Sequence, residues 1–303
     1  MFKRLLIPLD GSNLAESVLP YSIFLAKQIN ATLILFHVVE NKAPEEIHGQ
    51  PHIQTISEAN DYLDKIIVKY SDSEVNLLKD VHEVQEVGVA QTIRDHGEEL
   101  HADMIVLCAH GKGGLRDLIF GSIAQQVIKQ DSVPVLFIRP EILTSEGVSP
   151  IQNILIPLDG DKSHQIALPA AAHLAKKFHA KVHFLTVIPY TETLSMKEAI
   201  TSRISPRTSS LSLDTDAKHA EEYLHGLCQQ LSRQGLETSK IVLRGDVLSN
   251  LLKTLQNEQI DLLVMATHGH NVIDARWEGS LTPRFLPKSP VPVLLVRGTK
   301  TLS

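Results

Sequence analysis

Short runs of apolar residues alternate along the chain with longer segments whose apolar residues recur at helical spacing. In the first half, the short runs predict strands over residues 4–9, 32–39, 81–87, 104–109 and 134–139. The longer segments predict helices over residues 17–29, 57–70, 90–102 and 122–131. Strands that alternate with helices are typical of parallel βαβ units, so we expect an α/β fold with a five-stranded, doubly wound parallel sheet.

The second half of the chain repeats the first. The stretch RLLIPLDGS at 4–12 recurs as NILIPLDGD at 153–161, and DMIVLCAHG at 103–111 recurs as DLLVMATHG at 261–269. A period this long indicates a duplicated domain rather than a solenoid. The predicted domains are residues 1–142 and 150–299, which join near residues 140–150. The extra residues of the second copy are expected in the polar segment 201–216, which predicts a loop.

Composition and charge narrow the class of protein. The 303 residues carry a formal net charge of -6, which gives no basic field for binding nucleic acid or an anionic membrane surface. No apolar stretch approaches the ~20 residues that span a bilayer, and the N-terminal residues do not form a signal peptide. Cys108 and Cys228 belong to no C-x-x-C pair. We therefore expect a cytoplasmic protein in a reducing compartment.

Two unusual turns follow the first and fourth predicted strands. PLDGS follows the first strand, and CAHGKGGLRDLIFGS at 108–122 follows the fourth. Parallel sheets bind ligands at the carboxyl ends of their strands, so the two turns would meet if these strands are neighbours. Glycines let backbone amides approach an anion, and the helix predicted to begin at Ser122 favours negative charge at its start. The alternative is a flexible glycine turn followed by an ordinary helix cap.

The repeated hLhPLDGS, the FHVV after the second strand, and H-G-x9-G-S followed by xPVLhhR resemble the universal stress protein family, as two domains in tandem. The resemblance covers nearly the whole chain and implies two Rossmann-like (adenine nucleotide alpha hydrolase-like) domains. In the nucleotide-binding branch of that family, the motif G-x2-G-x9-G-(S/T) binds ATP. Both copies keep the second and third glycines, but a small residue, Cys108 or Ala266, replaces the first.

The resemblance implies an ATP site mainly in the first copy, where Mg²⁺ or Mn²⁺ would accompany the phosphates. Its expected residues are Pro8, Asp10, Val38, Cys108, His110, Gly111, Lys112, Gly113, Gly114, Gly121, Ser122, Ile123 and Ala124. The expected residues of a weaker second site are Pro157, Asp159, Val187, Ala266, His268, Gly269, Gly279, Ser280 and Leu281. For Asp10 the alternative role is an Asx-type turn or a helix N-cap.

Several substitutions weaken the second site. Pro283 falls in the first turn of the helix after Ser280 and offers no N–H to an anion, and Pro287 is expected to break that helix after one turn. His270 and Asp274 replace the basic Lys112 and Arg116 of the first copy. The first copy is therefore the better candidate for binding nucleotide.

Neither a dedicated metal site nor a catalytic motif is predicted. The histidines in HGQPH at 48–52 and HGH at 268–270 lack the spacing of a metal site. The chain contains no nucleophile elbow of the G-x-S-x-G type and no P-loop. We therefore expect no enzyme. Three functions remain open: an ATP-binding stress-response regulator, a nucleotide-free interaction scaffold, and a slow ATP hydrolase.

The last strand of each copy is a candidate pairing element. VPVLFIR at 133–139 and VPVLLVR at 291–297 are short, apolar runs at predicted sheet edges, where unpaired backbone groups seek another strand. In single-domain members of the family that this chain resembles, two chains dimerise through this strand. We therefore expect Val135–Arg139 and Val293–Arg297 to pair within the chain, with a homodimer of whole chains left open.

Overall fold

The computed structural model describes residues 1–40, 46–47, 49–84, 88–109, 122–130, 133–142, 148–188, 206–267 and 281–297. The chain divides into two compact units. Unit 1 comprises residues 1–149 together with the segment that begins at Pro292, and unit 2 comprises Pro150–Val291. The predicted α/β class is confirmed, because parallel strands alternate with helices in both units.

The strands of unit 1 form a largely parallel sheet. The strands within the described residues of both units are β1 Arg4–Pro8, β2 Thr32–Glu40, β3 Glu46–Ile47, β4 Gln50–Pro51, β5 Leu77–Val84, β6 Met104–Cys108, β7 Val135–Ile138, β8 Asn153–Pro157, β9 Lys181–Ile188, β10 Thr238–Arg244, β11 Leu262–Thr267 and β12 Val293–Arg297. In unit 1, β7, β6, β1, β2 and β5 are parallel neighbours in that order. Strand β12 joins this unit antiparallel to β7, and β3 and β4 form a separate antiparallel pair.

Strand β1 lies at the centre of unit 1, between β2 and β6. Its middle residues Leu5, Leu6 and Ile7 are fully buried, as expected for a strand that has helices on both faces of the sheet. The first and fourth predicted strands are therefore neighbours, which places the turns after β1 and β6 at the same edge. In unit 2, β10, β9, β8 and β11 follow each other in the same parallel order.

Helices connect the strands. The helices are α1 Asn13–Glu16, α2 Leu19–Ile29, α3 Ile56–Lys69, α4 Val89–Glu99, α5 Ser122–Gln130, α6 Ala167–Phe178, α7 Pro206–Ser232, α8 Val247–Asn257 and α9 Leu281–Phe285. Helix α3 begins with a full capping box, in which Thr55 and Glu58 each bond the other's backbone. Helix α9 ends after five residues and continues as a 3₁₀ turn over Leu286–Lys288, which confirms the expected effect of Pro287.

Two elements differ from the sequence-based prediction. The third strand of the first copy begins at Leu77 rather than at residue 81, because an edge strand with half-exposed side chains tolerates charged residues such as Lys79 and Asp80. Residues 85–87 of the predicted strand lie outside the described residues. The segment predicted as a loop over 201–216 is helical from Pro206 onward. Proline is well placed in the first turn of a helix, and the weak helix propensity of Ser and Thr is offset when a long helix follows.

The equivalent turns after β1 and β8 allow the effect of backbone strain to be separated from the effect of a close side-chain contact. Gly11 and Gly160 both have left-handed backbones, with φ of 87° and 90°. A Cβ at Gly11 would lie 2.9 Å from Ile53 Cδ1, whereas one at Gly160 would meet nothing within 4 Å. We expect Gly160→Ala to lose about 1–2 kcal/mol of stability through backbone strain alone. Gly11→Ala should lose about 1 kcal/mol more, because Ile53 must also move.

Urea unfolding followed by circular dichroism measures both losses. Hydrogen exchange of peptides that cover residues 46–53 gives the local effect, which we expect to be faster exchange in Gly11→Ala only. Equal losses, with unchanged exchange near Ile53, would show that the contact between Gly11 and Ile53 does not hold this segment.

Candidate functional site

A cavity of about 360 Å³ opens at the carboxyl ends of β1, β2 and β6 in unit 1. Of the residues predicted for the first site, those that line it are Pro8, Asp10, Val38, Cys108, Ile123 and Ala124. The remaining predicted residues His110, Gly111, Lys112, Gly113, Gly114 and Gly121 lie outside the described residues. Ser122 begins α5, and its neighbours Ile123 and Ala124 place the first turn of this helix at the cavity wall.

Unit 2 contains an equivalent cavity of about 370 Å³. The predicted residues that line it are Pro157, Asp159, Val187, Ala266 and Leu281. His268, Gly269, Gly279 and Ser280 lie outside the described residues. Thr282, at the start of the short α9, also contributes to the wall. Each repeat therefore builds one cavity at the same edge of its sheet.

Asp10 shapes the turn that carries it. Its Oδ1 accepts a hydrogen bond of 2.9 Å from the amide of Ser12, and Ser12 Oγ in turn caps α1 by accepting from Ala15 N at 3.1 Å. The Asx-type turn is therefore present, and Ser12 rather than Asp10 is the N-cap. Asp10 also lines the cavity, so one side chain both holds the turn and forms part of the cavity wall.

Cys108 is a neutral part of the wall. Its Sγ lies 3.6 Å from Ser17 Oγ. Burial raises the pKa of Cys108 to about 11, and the contact with Ser17 only partly opposes this. A thiol with so high a pKa stays protonated near neutral pH, so it is a poor nucleophile and a poor metal ligand. Cys108 therefore contributes a small, uncharged side chain to the cavity wall.

His37 and Thr186 hold the turns that enter the two cavities. His37 Nδ1 lies 2.7 Å from the carbonyl oxygen of Leu9, and Thr186 Oγ1 donates to that of Leu158 at 2.8 Å. Burial lowers the pKa of His37, against the raising effect of the bond to Leu9. Since a carbonyl only accepts, the neutral imidazole carries its proton on Nδ1 and leaves Nε2 as a bare acceptor.

An acid–base pair distinguishes the second cavity. His164 Nδ1 lies 2.7 Å from Asp159 Oδ1, and both side chains line the wall. The hydrogen bond to Asp159 raises the pKa of His164 above its ordinary value. Partial desolvation works against ionisation of Asp159, but the bonds from His164 and from the amide of Asp161 outweigh it and lower the pKa of Asp159. In unit 1 the equivalent of His164 is Ala15, which makes no such pair.

The ion pair of Asp159 with His164 contributes fully to stability only within a defined range of pH. His164 has a raised pKa, so its contribution to stability is complete below pH 6.5 and is lost as the pH rises through the folded-state value. Asp159 has a lowered pKa, so its contribution is complete above pH 3.8 and is lost as the pH falls through the folded-state value. The pair is therefore fully formed between these two limits.

Several wall residues were not predicted from the sequence. In unit 1 these include Glu40 at the end of β2, Ile47 in β3, and His52 directly after β4. The sequence carries no motif for this segment, because its place over the cavity depends on contacts with the turn after β1. His164 could have been found, because aligning the two repeats on Asp10 and Asp159 places it opposite Ala15.

Two features are absent from the described residues. They contain no group of three or more His, Cys, Asp or Glu side chains that is placed to hold a metal ion. Within the same ranges, no helix combines the length and the apolar character needed to cross a membrane.

The fold defines an α/β protein built on a largely parallel sheet with interleaved helices, and sequence comparison identifies its family. The model of the universal stress protein family matches residues 1–139 and 150–297, so the chain belongs to this family, with two copies in tandem. Universal stress protein Slr1230 of Synechocystis is 23% identical over 316 residues, which cover 97% of this chain and 100% of Slr1230.

Other relatives resemble one half or show only the fold. Universal stress protein MJ0531 of Methanocaldococcus jannaschii is 28% identical over 145 residues, 46% of this chain and 83% of MJ0531. A crystal structure of a universal stress protein from Archaeoglobus fulgidus matches with a TM-score of 0.69 at 16% identity. The match covers 98% of this chain and 97% of the A. fulgidus chain. At that identity the likeness shows the fold alone.

The ion pair in the second cavity predicts that the titration midpoint of His164 is raised. In the ¹⁵N-histidine NMR spectrum, the resonances of His164 should titrate with a midpoint above 6.5. In Asp159→Asn the midpoint should fall, because burial then disfavours the imidazolium without a compensating carboxylate. The matched variant Asp10→Asn, at the equivalent position of unit 1, should leave the His164 midpoint unchanged. A midpoint that ignores Asp159→Asn would contradict this pairing.

Proposed function

We propose that this chain is an ATP-binding regulatory protein of the stress response, which holds the nucleotide mainly in the unit 1 cavity. The observation that carries the proposal is the convergence of Pro8, Asp10, Val38, Cys108 and the first turn of α5 on one cavity. These positions were assigned from the family motif, although they lie far apart in the sequence. A cavity of about 360 Å³ is within the range that small-molecule ligands occupy.

The chemistry of this wall suits an adenine nucleotide. Pro8, Val38 and Leu107 supply apolar surface for a base, while Asp10 supplies a hydrogen-bond acceptor. The first amides of α5 have no partner within the helix and favour negative charge, so the phosphates would lie there. Mg²⁺ or Mn²⁺ would enter with the phosphates, whose oxygens are the ligands these ions prefer.

Unit 2 is the weaker site. Its helix α9 is only five residues long, and Pro283 removes one N–H from the first turn. Asp159 is already engaged with His164, so a ligand must compete for this carboxylate. We propose that unit 2 binds nucleotide less tightly than unit 1, within domains that span residues 1–142 and 150–299.

We further propose a non-enzymatic, cytoplasmic role. Cys108 is a neutral thiol, and neither cavity has an activated nucleophile beside a base among the described residues. The second candidate function, a nucleotide-free scaffold, is favoured by one feature, the loss of the first motif glycine to Cys108 and Ala266.

Filling each cavity in turn tests which unit binds. Ala15 and His164 occupy equivalent positions and line their respective cavities. By calorimetry with ATP and Mg²⁺ on the full chain, we expect Ala15→Trp to weaken binding by about tenfold or more, because the indole occupies space that the ligand needs. His164→Trp should leave the main binding event intact.

Three other outcomes have clear meanings. No heat at millimolar ATP in the unmodified chain would leave the scaffold function. Loss of binding in His164→Trp alone would place the nucleotide in unit 2. Release of phosphate from ATP by the unmodified chain would favour the hydrolase function. Circular dichroism of each variant controls for folding.

We also propose that the two repeats pair through their last strands within one chain. Support comes from the antiparallel register of β12 with β7, in which Leu294 lies opposite Leu136 and Leu295 opposite Val135. These residues are almost fully buried, as paired strands in a sheet interior require. Association of whole chains into a homodimer would then use another surface.

A designed disulfide tests this pairing. Oxidation of the double variant Leu136→Cys, Leu294→Cys should give a crosslink inside one chain, because residues directly opposite in an antiparallel pair have Cβ atoms close enough for a disulfide. Non-reducing gels and mass spectrometry should show monomer-sized protein with the two peptides joined. The single variant Leu136→Cys is the control for Cys108 and Cys228. Dimer-sized crosslinked protein would contradict pairing within the chain.

A further inference from the structure

A strap formed by residues 46–47 and 49–53 contributes to the wall of the unit 1 cavity. It consists of the antiparallel strands β3 and β4 and the residues that lead into α3. Two of its side chains, Ile47 and His52, line the cavity, together with Glu40 from the end of β2. The family resemblance assigned no role to this strap, so its contribution to the cavity comes from the structure alone.

The strap is attached to the turn that carries Asp10. Gln50 Oε1 accepts a hydrogen bond of 2.6 Å from the amide of Asn13, at the start of α1. Ile53 packs so closely on Gly11 that a Cβ there would lie 2.9 Å from Ile53 Cδ1. These two contacts flank His52 on both sides along the chain. The position of His52 at the cavity wall is therefore defined by the same turn that shapes the site.

His52 has a buried polar atom to which no described residue makes a hydrogen bond. The residue is 8% exposed, and its Nδ1 makes no hydrogen bond to the described residues. Burying such an atom costs free energy unless a water molecule, an ion or a ligand bonds it. Because His52 lines the cavity, a molecule bound there can supply this bond.

The charge of the cavity wall restricts the chemistry of that molecule. Besides His52, the wall contains the carboxyl groups of Asp10 and Glu40. Carboxylates repel phosphate, so the wall that carries them suits a neutral group with hydrogen-bond donors. In a nucleotide, the sugar hydroxyls and the exocyclic amine of the base have this character.

We propose that His52 is a ligand-binding residue of the unit 1 cavity and bonds the nucleoside part of the bound nucleotide through Nδ1. This inference rests on the proposed function. It adds a contact that the glycine motif does not contain and that the strap brings to the site. Unit 2 differs here, because among the described residues of its cavity wall the polar atom without a hydrogen-bond partner is the hydroxyl oxygen of Thr267, an 8% exposed residue at the end of β11.

Calorimetry with ATP on the full chain tests the role of His52. We expect His52→Ala to weaken binding by about 3- to 10-fold, the effect of one hydrogen bond. His52→Asn should recover part of the loss, because an amide can place a polar atom near the position of Nδ1. His219→Ala, which removes an exposed histidine from α7, is the matched control and should bind like the unmodified chain.

A second measurement on the unmodified chain separates ligand contact from a structural role. With ¹⁵N-labelled histidine, the Nδ1 resonance of His52, assigned by its absence in His52→Asn, should shift when ATP is added. A histidine bonded only to an ordered water outside the ligand contact would not shift. This readout does not depend on the folding of any variant.

The outcomes of the two measurements are distinct. Weaker binding in His52→Ala together with a shifted Nδ1 supports the proposal. Normal binding in His52→Ala with an unmoved Nδ1 overturns it and leaves the proposed function standing. Absence of ATP binding in the unmodified chain overturns both. A further titration with inorganic triphosphate locates the contact, because a His52 shift caused by triphosphate alone would overturn the assignment to the nucleoside part.

Discussion

The structure depends on the central position of β1 between β2 and β6, and on the equivalent position of β8 between β9 and β11. Parallel pairing aligns the carboxyl ends of these strands, so turns that are about a hundred residues apart in the sequence meet at one edge. The buried side chains of Leu5, Leu6 and Ile7 hold this order in unit 1. The cavity follows from that order, because the chain must leave each strand there.

The two repeats conserve the frame of the cavity and vary its lining. In both units, a polar side chain from the second strand makes a hydrogen bond to the carbonyl oxygen of the residue that follows the first strand. This side chain is His37 in unit 1 and Thr186 in unit 2. The carboxylates Asp10 and Asp159 both form Asx-type turns. Asp159 pairs with His164, whereas the position equivalent to His164 in unit 1 is Ala15, so duplication has placed different side chains on one backbone plan.

The residues that complete each cavity come from segments with no motif. In unit 1 the strap reaches the site because Gln50 and Ile53 contact the turn after β1. Local sequence cannot predict such contacts, since they join residues about forty positions apart in the chain. The predicted position of β5 was displaced for the same reason. Its pattern of apolar and polar residues reflects a position at the edge of the sheet, which only the assembled sheet defines.

The sequence by itself determined the duplication and the α/β class, because apolar periodicity is a local property of the chain. The resemblance to the family assigned Pro8, Asp10, Val38 and Cys108 to the site, and these four residues line the unit 1 cavity. Only the tertiary structure decided the helix from Pro206, the ion pair of Asp159 with His164, and the place of His52 at the cavity. Each of these depends on which segments pack together, and packing overrides local propensity.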